Sequence, residues 1–133
     1  MIAGVADTHT ALWHVFDDKR LSVAASNFID QAAVARHTIA VSAVSLAEII
    51  YLIEKQRLPS SAYTDLRNAL ADPEHVLKEA PFTAEIVDAI REVPRAEVPD
   101  LPDRIVAATG VYFRVPVISR DSRIRAANLQ TVW

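Results

Sequence analysis

The sequence predicts an α/β domain of three layers, with helices on both faces of a central, mainly parallel sheet of about five short strands. Two patterns along the chain carry this prediction. Short apolar runs that do not alternate with polar residues fit strands buried on both faces. Between them lie longer stretches with apolar residues at helical spacing, the order expected of parallel strands joined by crossover helices. The chain has 133 residues, a common size for one compact domain, and shows neither an internal repeat nor a low-complexity tail. A single domain over residues 1–133 is expected.

The elements follow in order. Ile2 to Ala6 reads as the first buried strand, and a helix follows Asp7-Thr8 to about Phe16. An alanine-rich stretch from Ser22 to about Arg36 reads as a second helix, and Thr38 to Ser42 as a second strand. Ser45 is expected to open a helix with its stripe at Leu46, Ile49, Ile50 and Ile53. Pro59-Ser60-Ser61 makes a turn and cap before a helix carrying Tyr63, Leu66 and Leu70, which Asp72-Pro73 ends. A third strand is expected over His75 to Ala80. Thr83 caps a helix with Ile86, Ile90 and Val93 on one side. Three prolines make Pro94 to Pro102 a loop. A helix from about Leu101 to Phe113 carries Ile105, Ala108, Thr109 and Tyr112 on one face. Val115 to Ser119 is the fourth strand, and Leu129 to Trp133 a short last one.

Composition narrows the chemistry. There are no cysteines, which excludes disulfides, thiol nucleophiles and thiolate zinc sites. Only Gly4 and Gly110 are glycine, so a dinucleotide loop, a Walker phosphate loop and a Gly-x-Ser-x-Gly elbow are absent. The N-terminus lacks the basic and apolar regions of a signal peptide, and no apolar run approaches the ~20 residues of a membrane span. A cytoplasmic protein with no membrane association is the simplest expectation. The net charge of −3 argues mildly against a nucleic-acid binder. Yet seven of the fourteen basic residues lie between Arg91 and Arg125, all of them arginine.

Four carboxylates stand where an open parallel sheet places its site, beyond the C-terminal ends of the strands. Asp7 follows the first strand and Asp121 the fourth. Glu48 lies one turn into the helix after the second strand, and Asp103 in the first turn of the helix entering the fourth. Each also has a capping explanation. Ser45-x-x-Glu48 has the form of a capping box, Asp100 and Pro102 mark a helix start that favours Asp103, and Asp7 and Asp121 can cap the helices after them. Gathered at one edge, however, the four would repel one another without a cation. Mg²⁺ or Mn²⁺ accepts hard oxygen ligands and supplies Lewis-acid activation of water at a phosphodiester.

At this point the residues resemble the PIN-domain family, and within it the VapC-type toxins. Val5-Ala6-Asp7-Thr8-His9-Thr10 resembles the family's first strand and Asp-Thr-His stretch. Ser42-x-x-Ser45-x-x-Glu48 is similar to its second motif, Asp100-Leu101-Pro102-Asp103-Arg104 to its third, and Ile118-Ser119-Arg120-Asp121-Ser122-Arg123-Ile124 to its fourth. The closing Thr131-Val132-Trp133 is also similar. Leu101 departs from the pattern, standing where the family is often aromatic.

The resemblance implies Asp7, Glu48, Asp103 and Asp121 as catalytic and metal-site acids for Mg²⁺ or Mn²⁺. It implies an endoribonuclease, usually a homodimer, silenced by a cognate antitoxin encoded by an adjacent gene. Thr8 matches a small polar position expected to orient a water at the metal. Asp100 is a cap first and an outer ligand second. Arg104 and Arg120, with Arg123 and Arg125, are candidates for RNA-phosphate contacts, against a solvated face or ion pairs with the acids. Trp13 and Trp133 can stack on bases, although core packing is the simpler reading. His9 and His14, five residues apart, share no helix face and are poor metal ligands. Two other functions remain open: a phosphohydrolase with Asp7 as nucleophile, where His9 stands in place of the second acid that class expects, and a non-catalytic PIN-like interaction module.

Overall fold

The computed structural model describes residues 1–133. Five strands, β1 (Ile2–Ala6), β2 (Thr38–Ser42), β3 (Leu77–Ala80), β4 (Val117–Ile118) and β5 (Thr131–Val132), form one sheet in the order β3-β2-β1-β4-β5. Every neighbouring pair is parallel, so the mainly parallel sheet expected from the sequence is wholly parallel. Seven α-helices accompany it: α1 (Thr8–Val15), α2 (Val23–Val34), α3 (Ala43–Glu54), α4 (Ser61–Ala71), α5 (Ala84–Ala89), α6 (Leu101–Phe113) and α7 (Ser122–Ala126). No helix is long and apolar enough to cross a membrane.

The absence of alternation in the strands is explained by two cores. Val5, Ala40 and Val117 face one cluster, with Ile86, Val93, Val106 and Ile124 from the α5, α6 and α7 side. Their chain neighbours Ala6, Ile39, Val41 and Ile118 face the other, with Leu12, Ile29, Ile49 and Leu66 from α1, α2, α3 and α4. Side chains on a strand point alternately to opposite faces, and both faces are covered at the centre of the sheet, so β1, the middle of β2 and β4 are apolar throughout, whereas the edge strand β3 carries Lys78 and Glu79.

Several boundaries differ from the sequence expectation. β3 begins at Leu77 rather than His75, because the His75 Nδ1 accepts the Leu77 N–H (3.1 Å) and closes a turn ahead of the strand. β4 and β5 are two residues each, since pairing is limited to Val5–Ala6 on one side and Thr131–Val132 on the other. The helix opened by Thr83 ends at Ala89 and tightens into a 3-10 turn over Ile90–Glu92. Helix α3 starts at Ala43, capped by Ser42, whose hydroxyl accepts the Val44 N–H at 3.2 Å. Ser45 is therefore inside the helix and is not its cap.

Both glycines permit close approach. A Cβ at Gly4 would lie 2.9 Å from a ring carbon of Phe28, and one at Gly110 would lie 2.7 Å from Val117 Cγ2 and 3.2 Å from the Val115 carbonyl oxygen. Gly110 thus lets α6 sit directly on β4 and the turn that leads into it. Elsewhere helix ends take up left-handed backbone without glycine, at Asp17, Arg36, Gln56 and Arg114. Replacing Gly110 by Ala should cost about 1–3 kcal/mol through overpacking, despite alanine's better helix propensity. Urea unfolding of the variant measures it; an unchanged or higher midpoint would contradict the close-packed reading of α6 on β4.

Candidate active site

The C-terminal ends of β1, β2 and β4 open onto a cavity of about 270 Å³. Its lining includes five acids, Asp7, Glu48, Asp100, Asp103 and Asp121, together with Thr8, His9, Arg120 and the single apolar residue Trp13. All four acids expected from the sequence are brought together, and Asp100 joins them.

Each carboxylate is aimed by a specific device. Parallel pairing sets Ala6 opposite Ile118, and the Asp7 N–H donates to the Ile118 carbonyl at 3.2 Å. Asp7 thereby meets Ser119 across 112 residues of chain. One Asp7 oxygen accepts the Thr10 N–H (2.9 Å), capping α1. The other accepts the hydroxyl of Ser119. The same Ser119 oxygen accepts the Asp121 N–H at 3.0 Å, so one buried hydroxyl fixes two acids. Asp121 Oδ1 caps α7 through the N–H groups of Arg123 (2.8 Å) and Ile124 (3.3 Å).

Glu48 shows why a capping box is the wrong reading. Its Oε1 accepts the Thr8 hydroxyl at 2.6 Å. A hydroxyl has one proton, so the 2.9 Å contact between Thr8 and Ser45 must be Ser45 donating to Thr8. A chain of buried hydroxyls, Ser45 to Thr8 to Glu48, orients this carboxylate. Thr8, expected to orient a water, spends its proton on Glu48 instead.

Asp103 bears the electrostatic strain. Its N–H lies 3.4 Å from the Asp100 carboxylate that caps α6. Burial first, and then the charges of Asp100 and Asp121, the contact with Asp100 and the charge of Glu48, push its carboxyl up to about 7. Burial and neighbouring like charges both disfavour the ionised form of a carboxyl, so Asp103 keeps its proton to higher pH than an ordinary aspartate.

The donor set fits a hard divalent ion, since every acid offers oxygen and no thiolate or paired imidazole competes. No three His, Asp or Glu side chains converge closely enough to hold an ion by themselves.

The basic residues divide. Arg104, a candidate phosphate contact in the sequence, is turned away. Its Nε (3.1 Å) and Nη2 (2.8 Å) donate to the Val93 carbonyl, and Nη2 also reaches the Ile90 carbonyl (3.1 Å). It caps the 3-10 turn and ties it to α6. Arg120 stays at the cavity, its Cζ 4.8 Å from the centre of the Trp13 ring. Arg123 and Arg125 are exposed, and neither of the two ion pairs in the molecule involves these arginines or the site acids. His9 packs on Trp13 at 5.6 Å and His14 on His75 at 5.7 Å, so the two histidines are not a shared metal site. Trp13 is only 6% exposed, yet it lines the cavity, so the core reading describes half of its role.

The model of the PIN domain matches residues 5–129, a span containing all four expected acids. The chain belongs to the PIN domain family. Over 136 residues it is 29% identical to Ribonuclease VapC22 of Mycobacterium tuberculosis, with the whole of both chains covered. Among solved structures, the PIN fold here is similar to that in VapBC2 from Rickettsia felis bound to a promoter DNA fragment. That match has a TM-score of 0.69, 18% identity and coverage of 98% of this chain and 97% of the other. A toxin–antitoxin complex from Klebsiella pneumoniae matches with TM-score 0.65 and 20% identity, covering 98% and 97%.

Two supporting residues were not recognised in the sequence as such, Ser119 and Ser45. Ser119 stands two residues before Asp121, and Ser45 three before Glu48. Those short Ser-to-acid spacings were the available signal, but they are equally the spacings of ordinary caps.

The raised Asp103 carboxyl has a consequence for stability. Its folded value of about 7 lies above the ordinary 3.8, so between those values the folded state holds a proton the unfolded state has lost. Stability therefore falls as pH rises through this window and levels off above it. Asp103→Asn lacks this ionisation. In metal-free buffer its stability advantage over the parent should widen from pH 5 to pH 8, and Mg²⁺ should narrow it at pH 8. Denaturant titrations at the two pH values check this; an equal difference at both would contradict the assigned strain.

Proposed function

We propose that this PIN domain is a metal-dependent endoribonuclease, the toxin of a VapBC-type pair, hydrolysing RNA phosphodiester bonds with Mg²⁺ or Mn²⁺. The observation that carries the proposal is the gathering of Asp7, Glu48, Asp103 and Asp121 in one cavity at the carboxyl edge of the sheet, on a chain that aligns end to end with a ribonuclease.

In this reading Asp7, Asp103 and Asp121 would surround the ion, partly through waters that Mg²⁺ retains, and Glu48 would position the attacking water or complete the ligand set. When bound, the ion lowers the cost of generating hydroxide from water and offsets charge developing on the phosphate. The chain's own contribution is placement. Ser119 and the Thr10 N–H hold both oxygens of Asp7, which suits a fixed ligand better than an attacking nucleophile and counts against the phosphohydrolase alternative. The hydroxyl chain leaves Glu48 Oε2 free to accept a proton from water while Oε1 stays anchored on Thr8. A purely docking module would have no use for five acids in one cavity, whose repulsion costs stability.

The partner side of the proposal draws on the same relatives. Two solved structures that share the fold are toxin–antitoxin assemblies. A cognate antitoxin, encoded by an adjacent gene, is proposed to silence this chain, which would act as a homodimer.

Asp7→Asn and Asp103→Asn should each lower Mg²⁺-dependent RNA cleavage by at least about a hundredfold while remaining folded by circular dichroism. Cleavage of a labelled RNA measures this, and parental activity in both variants would remove the metal-site mechanism. For the toxin role, expression of the chain alone should arrest bacterial growth, and co-expression with the neighbouring small open reading frame should restore it. Unimpeded growth while the protein accumulates in an active form would contradict that role.

A further inference from the structure

We infer that Arg120, held over the indole of Trp13, is a phosphate-binding subsite for the RNA backbone at the rim of the acidic cavity, with Trp13 as its positioning residue. The inference rests on the ribonuclease reading and deepens it.

Arg120 is exposed and lines a cavity that also contains five carboxylates, one of them on the next residue. A mobile guanidinium in that setting would fold onto an acid. Arg120 pairs with none: the two ion pairs of the molecule are Arg20 with Asp18 and Arg67 with Glu79. Its Cζ sits 4.8 Å from the Trp13 ring centre, within cation–π range. The ring gives the guanidinium an attractive seat without neutralising its charge or occupying its N–H donors, all of which point from the edge of a planar group.

Trp13 is itself immobilised. Trp133 packs on it at 5.8 Å and His9 at 5.6 Å. Arg20 also lies over it, at 5.2 Å, but Asp18 meets Arg20 with two oxygens, Oδ1 at 3.0 Å and Oδ2 at 2.8 Å. Of the two arginines on this indole, only Arg120 keeps an unanswered charge, and it is the one at the cavity. An anion approaching five carboxylates is repelled, and a fixed cation at the rim offsets that repulsion. The forked guanidinium matches two oxygens of a phosphate.

The test is binding and cleavage of a short single-stranded oligoribonucleotide. In the Asp103→Asn background with Mg²⁺ present, adding Arg120→Gln should weaken binding by on the order of tenfold. It should also reduce the slope of log affinity against log salt by about 0.7, as expected for one lost phosphate contact on a single strand. In the active enzyme Arg120→Gln should raise KM and leave kcat near the parent, because the contact is made in ground and transition states alike. Arg120→Lys should recover the salt slope but only part of the affinity. Trp13→Leu should weaken binding in the parent and add nothing in the Arg120→Gln background, whereas a merely structural Trp13 would weaken both. Unchanged affinity and salt slope in Arg120→Gln, with a parent that cuts RNA, would overturn this inference alone. A parent that neither binds nor cuts RNA would overturn the ribonuclease reading with it.

Discussion

Like charges held together at one edge of a parallel sheet are the constraint on which the rest of this structure depends. In such a sheet all strands deliver their C-termini to the same side, and each next helix begins there. Acids placed just after strands, or in first helical turns, are thereby collected whatever their separation in the chain. Ser119 and Asp7 are 112 residues apart in sequence and share a hydrogen bond. The same geometry that gathers the acids also supplies helix N-termini, whose N–H groups offset part of the charge. A remainder is left at Asp103, whose carboxyl is raised by burial first and then by the charges of its acidic neighbours.

The supporting hydroxyls resolve a tension in the sequence. Asp7, Asp100 and Asp121 do cap helices, as a local reading would have it, and they also line the cavity. Capping and site membership are not alternatives, because a carboxylate's two oxygens together offer about four acceptor positions. Asp121 gives Oδ1 to the backbone and keeps Oδ2 clear of the cap. Glu48 is the exception. Its helix is capped by Ser42, and its carboxylate is oriented by tertiary contact with Thr8. Buried polar groups are held only where they are paired, and Thr8, Ser45 and Ser119, all nearly inaccessible to solvent, are paired with one another or with the acids.

Much of this was legible in the residues themselves. The central strands β1, β2 and β4 announced themselves by apolar runs because both faces of the sheet are covered there, whereas the edge strand β3 carries Lys78 and Glu79; the order of the elements came out as expected. The acids could be placed near strand ends from position alone. Other features were not legible because they depend on partners far along the chain. The extent of β4 and β5 is set by neighbouring strands and not by their own composition. Whether Ser45 caps a helix or supports Glu48 depends on where Thr8 arrives. Arg104 and Arg120 look alike in sequence, yet one is consumed by the carbonyls of Ile90 and Val93 and the other by none.

The central claim is that the crowding of these carboxylates is offset by a proton on Asp103 when no metal is bound, and by a divalent cation when one is. Carbon-13 NMR titration of the Asp103 carboxyl, in metal-free buffer and again with saturating Mg²⁺, tests it most directly. The account predicts a midpoint near 7 without metal and one several units lower with it. A midpoint in the ordinary aspartate range of about 3.9, indifferent to Mg²⁺, would contradict it.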